Sequence, residues 1–219
     1  MDLTVLKVGG RLARRGGLRR LADRLALLAR RHGLLIVPGG GAFADAVRDL
    51  DDRERLGAST AHWMAVTAMD VYGTALAGLI EQSRPAGSRE EALGAAPGAP
   101  RVLLPGAWLR AADPLPHTWD VTSDSIAAWV ARECRAARLV LLKDAAGMAV
   151  PLPSGRPAAG AAVTPRELAG WEAVDRYFGQ VVGGLEAPLY VLDGGADGQL
   201  EELLDDGRCG GLSLPRRAP

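Results

Sequence analysis

Short apolar runs alternate with longer amphipathic stretches along the whole chain. Five runs have the length and apolar character of buried strands: residues 3–8, 34–37, 102–104, 139–142 and 189–192. Most of them end in glycine, proline or aspartate, which are residues typical of turns. Continuous apolar strands joined by helices are typical of a mostly parallel sheet that is covered on both faces. The pattern therefore predicts an α/β fold.

The stretches between the runs show helical spacing of apolar residues. Residues 12–31 form one such stretch, which Gly33 is placed to end, and residues 60–80 form another. A third helix is predicted at 126–132. The Pro-, Gly- and Ala-rich segment 83–100 predicts a surface excursion with one short helix, which could mark a boundary between two lobes. Residues 148–157 predict a hairpin that turns at Ser154 and Gly155.

Composition and charge narrow the class of protein. The 219 residues are 48% hydrophobic, enough for one substantial core, and the formal charge is zero with a pI near 6.8. This balance argues against nucleic acid or a membrane surface as partner. The chain shows neither a leader nor a membrane span, so a cytoplasmic protein is expected. Cys134 and Cys209 lack metal-site spacing and are expected to be reduced.

Lysine is rare in this chain. Only Lys7 and Lys143 are lysines among 26 basic side chains, and each lies at the end of a predicted strand. Arginine suits fixed bidentate contacts, whereas lysine is a compact ammonium on a flexible stem that can follow a phosphate during transfer. The two lysines therefore suggest phosphate chemistry, although a single lysine at a strand end is more often a solvated charge.

Two glycine-rich turns follow the first two strands. Gly9 and Gly10 come directly after the strand of Lys7, and Gly39, Gly40 and Gly41 follow the second strand. The carboxyl ends of parallel strands meet at one edge, so both turns should face a shared crevice. Glycine lets backbone amides approach an anion. Each turn taken alone is more simply a tight turn.

Two further polar segments follow the same pattern. Ser123 and Asp124 stand at the start of the helix predicted at 126–132, where helix capping alone would explain them. Lys143, Asp144 and Gly147 follow the fourth predicted strand.

Taken in order, Lys-x-Gly-Gly, Gly-Gly-Gly, Ser-Asp before an Ala-rich helix and Leu-Leu-Lys-Asp-x-x-Gly resemble the amino acid kinase family. The resemblance covers most of the chain to about Gly147. It implies a single domain of a three-layer αβα sandwich, with an acceptor lobe at about 1–122 and a nucleotide lobe at about 123–219. It also implies ATP and Mg²⁺ as cofactors, a small-molecule substrate and a homo-oligomer.

The resemblance assigns roles by position. Lys7 would stabilise the transferring phosphoryl group, Asp124 would organise that lysine, and Lys143 would complete the catalytic set. The remaining positions would bind ligands: Gly9, Gly10, Asp144 and Gly147 the nucleotide phosphates, and Gly39, Gly40 and Gly41 phosphate or acceptor.

Two departures from the family pattern affect these roles. Many members carry a second catalytic lysine before the last strands, but residues 177–184 contain none, so either Lys143 serves instead or the transition state is held differently. The usual Gly-Thr near the C-terminus is replaced by Gly210, Gly211 and Leu212, which leaves the nucleotide contacts there open.

Three phrases narrow the acceptor: VPGGGAFADAVRDLD, AHWMAVTAMDVYG and LPHTWDVTSDSIAAWVA. They resemble a subgroup that converts an aminomethylfuran methyl phosphate to its diphosphate. Such an acceptor needs an anion site and a carboxylate for its amine, for which the candidates are Asp45, Asp70 and Asp120. Trp119 could stack on the furan ring or serve as a packing anchor.

Other acceptors and roles remain as alternatives. No arginine pair is evident near the glycine turns, which argues mildly against a dicarboxylate acceptor. Trp63, Thr67 and Asp70 share one helix face, which could line the acceptor pocket or cover a subunit contact. A kinase of another acceptor such as UMP, or a non-catalytic nucleotide- or oxyanion-binding protein of the same fold, is the alternative to the furan kinase.

Overall fold

The structure is a computed structural model that describes residues 2–15, 17–155, 158 and 160–215. Within them the sheet contains β1 (Leu3–Val8), β2 (Gly33–Pro38), β3 (Arg84–Ala86), β4 (Arg101–Leu103), β5 (Arg138–Lys143), β6 (Leu189–Asp193) and β7 (Leu212–Leu214). The helices are α1 (Leu18–Ala29), α2 (Gly41–Glu54), α3 (Ala58–Leu79), α4 (Arg89–Leu93), α5 (Pro105–Ala112), α6 (Ser123–Glu133), α7 (Ala145–Ala149), α8 (Pro165–Ala169), α9 (Phe178–Val182) and α10 (Gln199–Asp206).

The sheet is parallel except at one edge. Its strand order is β3-β4-β2-β1-β5-β6-β7, and only β6 and β7 pair antiparallel among the described strands. β1 lies at the centre, with β2 on one side and β5 on the other. The carboxyl ends of these three strands therefore meet at the same edge, where open parallel sheets place their ligand sites.

The sheet separates two apolar cores. Side chains alternate along each strand, so Val5 and Leu141 face one core while Leu6 and Leu142 face the other. Helices α6 and α9 cover the first core, and α1 and α10 cover the second. Each fully buried Leu or Val contributes about 1.5–3 kcal/mol, so both faces stabilise the sheet. The predicted mostly parallel αβα sandwich is confirmed.

The long helices follow their predicted apolar periodicity. The helix expected at 60–80 is α3, and the one expected at 126–132 is the longer α6. The stretch predicted as one helix over 12–31 instead divides into a 3-10 turn at Gly10–Arg15 and α1. The break allows the backbone after Gly10 to turn past the edge of the sheet before α1 begins.

Three short elements differ from the predictions. Segment 83–100 contains the expected short helix, α4, but also β3, which joins the sheet beside β4. Strand β7 was not predicted, because its residues, Leu-Ser-Leu, do not form a continuous apolar run. In the predicted hairpin at 148–157, Met148 belongs to α7 instead. Leu152 and Gly155 exchange both backbone hydrogen bonds across a tight turn. Arg156 and Pro157 lie outside the described residues.

In the part of the chain that the structure describes, no helix combines the length and the apolar character needed to cross a bilayer.

Candidate active site

Both lysines project from the same face of the sheet. Lys7 shares the face of Val5 in β1, and Lys143 shares the face of Leu141 in β5, because side chains alternate along a strand. Val5 and Leu141 belong to the core under α6. The two-residue period of the strands thus directs both ammonium groups toward the start of α6.

Asp124 joins the two lysines at that point. Its Oδ1 lies 2.9 Å from Lys7 Nζ, and its Oδ2 accepts a hydrogen bond from Lys143 Nζ at 2.7 Å. All three side chains are buried, at 5%, 4% and 8% exposure for Lys7, Asp124 and Lys143. This lysine–aspartate cluster carries two positive charges and one negative charge. Its excess positive charge at a partly dry site is suited to an anionic group such as a phosphoryl.

Burial and the neighbouring charges act in opposite directions on the pKa of Asp124 and on that of Lys143. Burial alone would raise the pKa of Asp124, but the ammonium groups of Lys143 and Lys7 outweigh it and hold that pKa well below its usual range. Burial lowers the pKa of Lys143 to about 8, although the Asp124 carboxylate counteracts the shift. Asp124 is therefore ionised at neutral pH. Lys143, not Asp124, is the residue whose pKa lies close to neutral pH.

Asp124 does not cap its helix. Thr122 is the N-cap of α6 and makes no side-chain cap bond, while the carboxylate oxygens of Asp124 face the two lysines. The position of Asp124 at the start of α6 is therefore explained by its ionic contacts with the lysines and not by helix capping.

The two glycine turns pack directly against each other. A Cβ on Gly10 would lie 2.4 Å from the backbone of Gly41, and a Cβ on Gly39 would lie 2.8 Å from the amide nitrogen of Gly10. Gly41 also has a φ of 55°, in the left-handed region that glycine adopts without strain. Any side chain at these positions would separate the turns. As expected, both turns face one crevice.

A cavity of about 300 Å³ lies between the glycine turns and the cluster. This volume is at the lower end of the range for small-molecule sites. The sequence-predicted residues that line it are Lys7, Gly9, Gly10, Gly39, Gly40, Gly41, Asp45, Asp124, Lys143, Asp144 and Gly147. Eleven of the thirteen predicted site residues thus come together at the carboxyl edge of the sheet.

Asp144 and Gly147 form the far rim of the cavity. The Asp144 side chain caps α7 by accepting a hydrogen bond from the Gly147 backbone N–H at 3.0 Å. The other Asp144 oxygen is not committed to that bond. The short helix thus presents its amino end at the cavity, next to Lys143.

Of the three aspartates predicted to hold an amine, Asp45 alone lines the cavity. Asp70 accepts a hydrogen bond from the Gly106 N–H at 2.9 Å, in the first turn of α5, so its carboxylate is used to hold two helices together. Asp120 faces a neighbouring surface hollow, 3.7 Å from Arg176. The geometry therefore does not support Asp70 or Asp120 as an acceptor ligand.

Of the two alternatives left open for the face of Trp63, Thr67 and Asp70 on α3, the cavity does not support the first. His62, Ala65 and Met69 line it, whereas Trp63, Thr67 and Asp70 do not. Trp63 packs against His117 and lies under the Arg110 guanidinium, 4.6 Å from the ring centre. Burial and the nearby His117 lower the pKa of His62 to about 4, so His62 presents a neutral imidazole to the cavity.

Two arginines that the sequence did not single out also line the cavity. Arg11 follows Gly10, and Arg48 lies two helical turns after Gly41 on α2, so both lie on the side of the glycine turns. Arg48 lies 4.5 Å over the ring of Trp119 and 3.3 Å from Asp45. The Trp119 Nε1–H donates to Asp51 at 2.7 Å. The expectation that no arginine pair lies near the glycine turns is therefore wrong.

Asp175 is a further charged group of the cavity that the sequence did not indicate. It belongs to segment 172–175, between α8 and α9, and accepts hydrogen bonds from Thr122 and Ser125 at the start of α6. Its own segment shows neither a helical nor a strand period. The contact joins residues about fifty positions apart, so sequence spacing offers no signal for it.

Comparison with known proteins agrees with this architecture. A model of the amino acid kinase family matches residues 2–96, which include Lys7 and both glycine turns. The [5-(aminomethyl)furan-3-yl]methyl phosphate kinase of Methanocaldococcus jannaschii is 25% identical over 174 residues, which cover 78% of this chain and 79% of that protein.

Solved structures share the fold at lower sequence identity. Uridylate kinase of Archaeoglobus fulgidus superposes with a TM-score of 0.72 at 15% identity, covering 98% of this chain and 100% of that one. UMP kinase of Bacillus anthracis gives 0.74 at 14% identity, with 99% and 97% coverage. The family model, the curated relative and the shared fold confirm the predicted resemblance to the amino acid kinase family.

Proposed function

We propose that this protein is an ATP-dependent kinase that phosphorylates a small acceptor already carrying a phosphate. An oxygen of the acceptor phosphate would attack the γ-phosphorus of ATP, the bond to the β,γ-bridging oxygen would break, and ADP would leave with that electron pair. The observation that supports this reaction best is the buried lysine–aspartate cluster beside two glycine turns. Phosphoryl transfer depends mainly on positioning and on charge neutralisation, which such a cluster supplies.

Each group has a proposed task. Lys7 and Lys143 neutralise the oxygens of the transferring phosphoryl group, and Asp124 holds both ammonium groups in place. Gly9 and Gly10 approach the nucleotide phosphates with their backbones, while the turn of Gly39, Gly40 and Gly41 receives the acceptor. Asp144 and Gly147 lie on the nucleotide side. In this proposal residues 1–122 bind mainly the acceptor and residues 123–219 mainly ATP.

Mg²⁺ enters this proposal as part of the MgATP substrate. The ion usually keeps several waters and binds through substrate phosphates with one or two carboxylates. The described residues contain no group of three or more potential metal-ligating side chains, so no dedicated protein cage is assigned. Asp144, which lines the cavity beside Lys143, would contact the ion through its waters.

The proposed acceptor is an aminomethylfuran methyl phosphate, which the enzyme would convert to the diphosphate. The named activity of the Methanocaldococcus jannaschii relative supports it, as do the small cavity, the carboxylate of Asp45 and the ring of Trp119. Arg11 and Arg48 are available for the acceptor phosphate. Since these arginines would also suit a dicarboxylate, the earlier objection to that class no longer applies, and the amine becomes the discriminating group.

Comparing three acceptors tests this assignment. We expect the highest kcat/KM with the aminated furan phosphate, a clear loss with its deaminated analogue, and the lowest value with UMP. Removing the amine removes its interaction with the Asp45 carboxylate, which costs about 1 kcal/mol, or roughly 5-fold in kcat/KM. Coupled measurement of ADP release gives the rates. A preference for UMP, or indifference to the amine, would end the furan assignment and leave the kinase proposal in place.

The pH dependence of the reaction tests the role of Lys143. Its ammonium form is the one that neutralises phosphoryl charge, and its pKa is lowered to about 8, so kcat/KM should fall as pH rises through that value. A solvated lysine would keep its charge to about pH 10. Lys143→Arg, which stays protonated, should be slower but should lose this alkaline decline. A wild-type profile that stays flat up to pH 10 would contradict the role.

A non-catalytic phosphate-binding protein of the same fold is the second candidate. It would bind MgATP without releasing ADP in the presence of any of the three acceptors. The joining of two lysines by one buried carboxylate favours the enzyme, because simple binding of an anion gains nothing from a carboxylate placed against its cations.

A further inference from the structure

The carboxylate of Asp175 holds the first turn of α6. Its Oδ2 accepts hydrogen bonds from the backbone N–H of Thr122 and of Ser125, both at 2.9 Å, and from the Thr122 hydroxyl at 3.0 Å. Its Oδ1 accepts from the Ser125 hydroxyl at 2.5 Å. One side chain from a distant segment thus receives four donors from two residues of α6.

This contact replaces the missing cap of α6. The first N–H groups of a helix have no partner within the helix, and a side chain at the N-cap position normally satisfies one of them. Thr122 occupies that position but makes no such bond, and the Asp175 carboxylate takes its place. A negative charge at this end also interacts favourably with the helix dipole.

The capped turn is the one that carries Asp124. Asp124 lies between Thr122 and Ser125, so the four hydrogen bonds of Asp175 fix the backbone on both sides of it. The distances of 2.9 Å and 2.7 Å from Asp124 to the two lysines depend on that backbone position. A shift of the turn would move the cluster as a whole.

Asp175 also acts on the cluster through its negative charge. Two ammonium groups and one carboxylate leave one positive charge uncompensated. Burial, and to a lesser degree the Asp124 charge, raises the pKa of Asp175, while its four hydrogen bonds favour the ionised form. The charged groups surrounding Lys143 are Asp124 from α6, Lys7 from β1, Asp193 from β6, the adjacent Asp144, and Asp175.

We propose that Asp175 is a positioning residue for phosphoryl transfer, which caps α6 to fix Asp124 and whose negative charge helps to keep Lys143 protonated. The inference rests on the proposed kinase function but concerns a residue outside the set that touches the reacting phosphates. The segment that carries Asp175 also lines the cavity, so the same contact positions a wall of the cavity and the cluster.

Two substitutions separate the positioning effect of Asp175 from the effect of its negative charge. Asp175→Ala removes all four hydrogen bonds and should lower kcat by about 100-fold, the effect of misplacing a catalytic group by about 1 Å. Asp175→Asn can keep all four contacts, because its oxygen can take the place of Oδ2 while its NH₂ donates to the Ser125 hydroxyl. Asparagine should therefore preserve the melting temperature and most of the rate at neutral pH, but remove the charge.

The effect of the Asp175 charge can be measured directly by an NMR titration of the two lysines. Protein labelled with ¹³C-lysine contains only Lys7 and Lys143 as labelled side chains, and Lys7→Arg assigns the two signals. In Asp175→Asn the Lys143 signal should titrate at lower pH than in the wild type, and the alkaline decline of kcat/KM should move the same way. An unchanged titration in this variant would overturn the proposal.

A remote capping variant serves as the matched control. Ser88 caps α4 by accepting a hydrogen bond from the Glu91 N–H, away from the cavity, and Ser88→Ala removes that cap. It should lower the melting temperature without changing kcat or the lysine titration. If Asp175→Ala likewise lowers only the melting temperature, Asp175 is a structural cap and the inference is wrong. The NMR titration needs no turnover, so failure of the kinase proposal would be recognised separately.

Discussion

Replacing Lys7 with alanine is expected to lower kcat by about 100-fold or more, as loss of one preorganised donor does in other enzymes. The KM values should change far less, because the charge on the transferred oxygens is largest in the transition state. The fold should persist, since Asp124 keeps its hydrogen bond to Lys143 at 2.7 Å. Steady-state kinetics with MgATP and the furan phosphate, together with thermal unfolding, measure both effects.

Lys7→Arg is the matched control for this prediction. It keeps the positive charge but replaces a compact ammonium with a planar fork in a buried site, so we expect intermediate activity. If Lys7→Ala turns over at the wild-type rate, Lys7 has no part in the chemical step and the mechanism must be rebuilt around Lys143.

Replacing Asp124 with asparagine should abolish most activity and also destabilise the protein. The change leaves two buried ammonium groups without a counter-charge, and breaking a buried ion pair in this way costs about 3–5 kcal/mol. Asparagine preserves the shape of the side chain, so the loss would come from charge. Denaturant unfolding at neutral pH gives the free energy, and the same samples give the rate.

A pH series makes this second prediction more specific. With Asp124 neutralised, the pKa of Lys143 in the folded state should fall further below its unfolded value. Between the folded and the unfolded pKa the unfolded state binds more protons than the folded state. The free energy of unfolding of the variant should therefore increase as pH rises through this range. Asp205→Asn, which weakens an exposed pair with Arg31, is the control and should change little. Wild-type stability and activity in Asp124→Asn would remove the cluster from the mechanism.

Much of the central architecture could be predicted from the sequence. The runs that became β2, β5 and β6 are apolar without interruption, and the run of β1 is interrupted only by Thr4 and Lys7, because both faces of these strands are covered. Parallel pairing then places their polar ends at one edge. The clustering of Lys7, Asp124 and Lys143 follows from that edge and from the resemblance, although their catalytic roles stay predictions.

The features that escaped prediction depend on contacts between distant segments. Asp175 caps a helix that begins some fifty residues earlier, and Arg48 reaches the cavity only because α2 starts at its rim. The periodicity of α3 did not indicate which of its faces lines the cavity. The helix is apolar on most sides, and the segments that pack against it lie elsewhere in the chain. Strands of three residues, β3 and β7, carry no period at all.

The central position of β1 has a consequence for how the protein folds. In the sheet, Val5 is paired with Leu139. The second edge of β1 therefore stays unpaired until β5 has joined the sheet. Non-local parallel pairings of this kind fold slowly, because a long loop must close before the contacts form. An N-terminal fragment ending before β5 would leave one edge of β1 unpaired and Asp124 without Lys143. Assembly of the sheet and charge pairing at the cavity should therefore appear in the same kinetic phase.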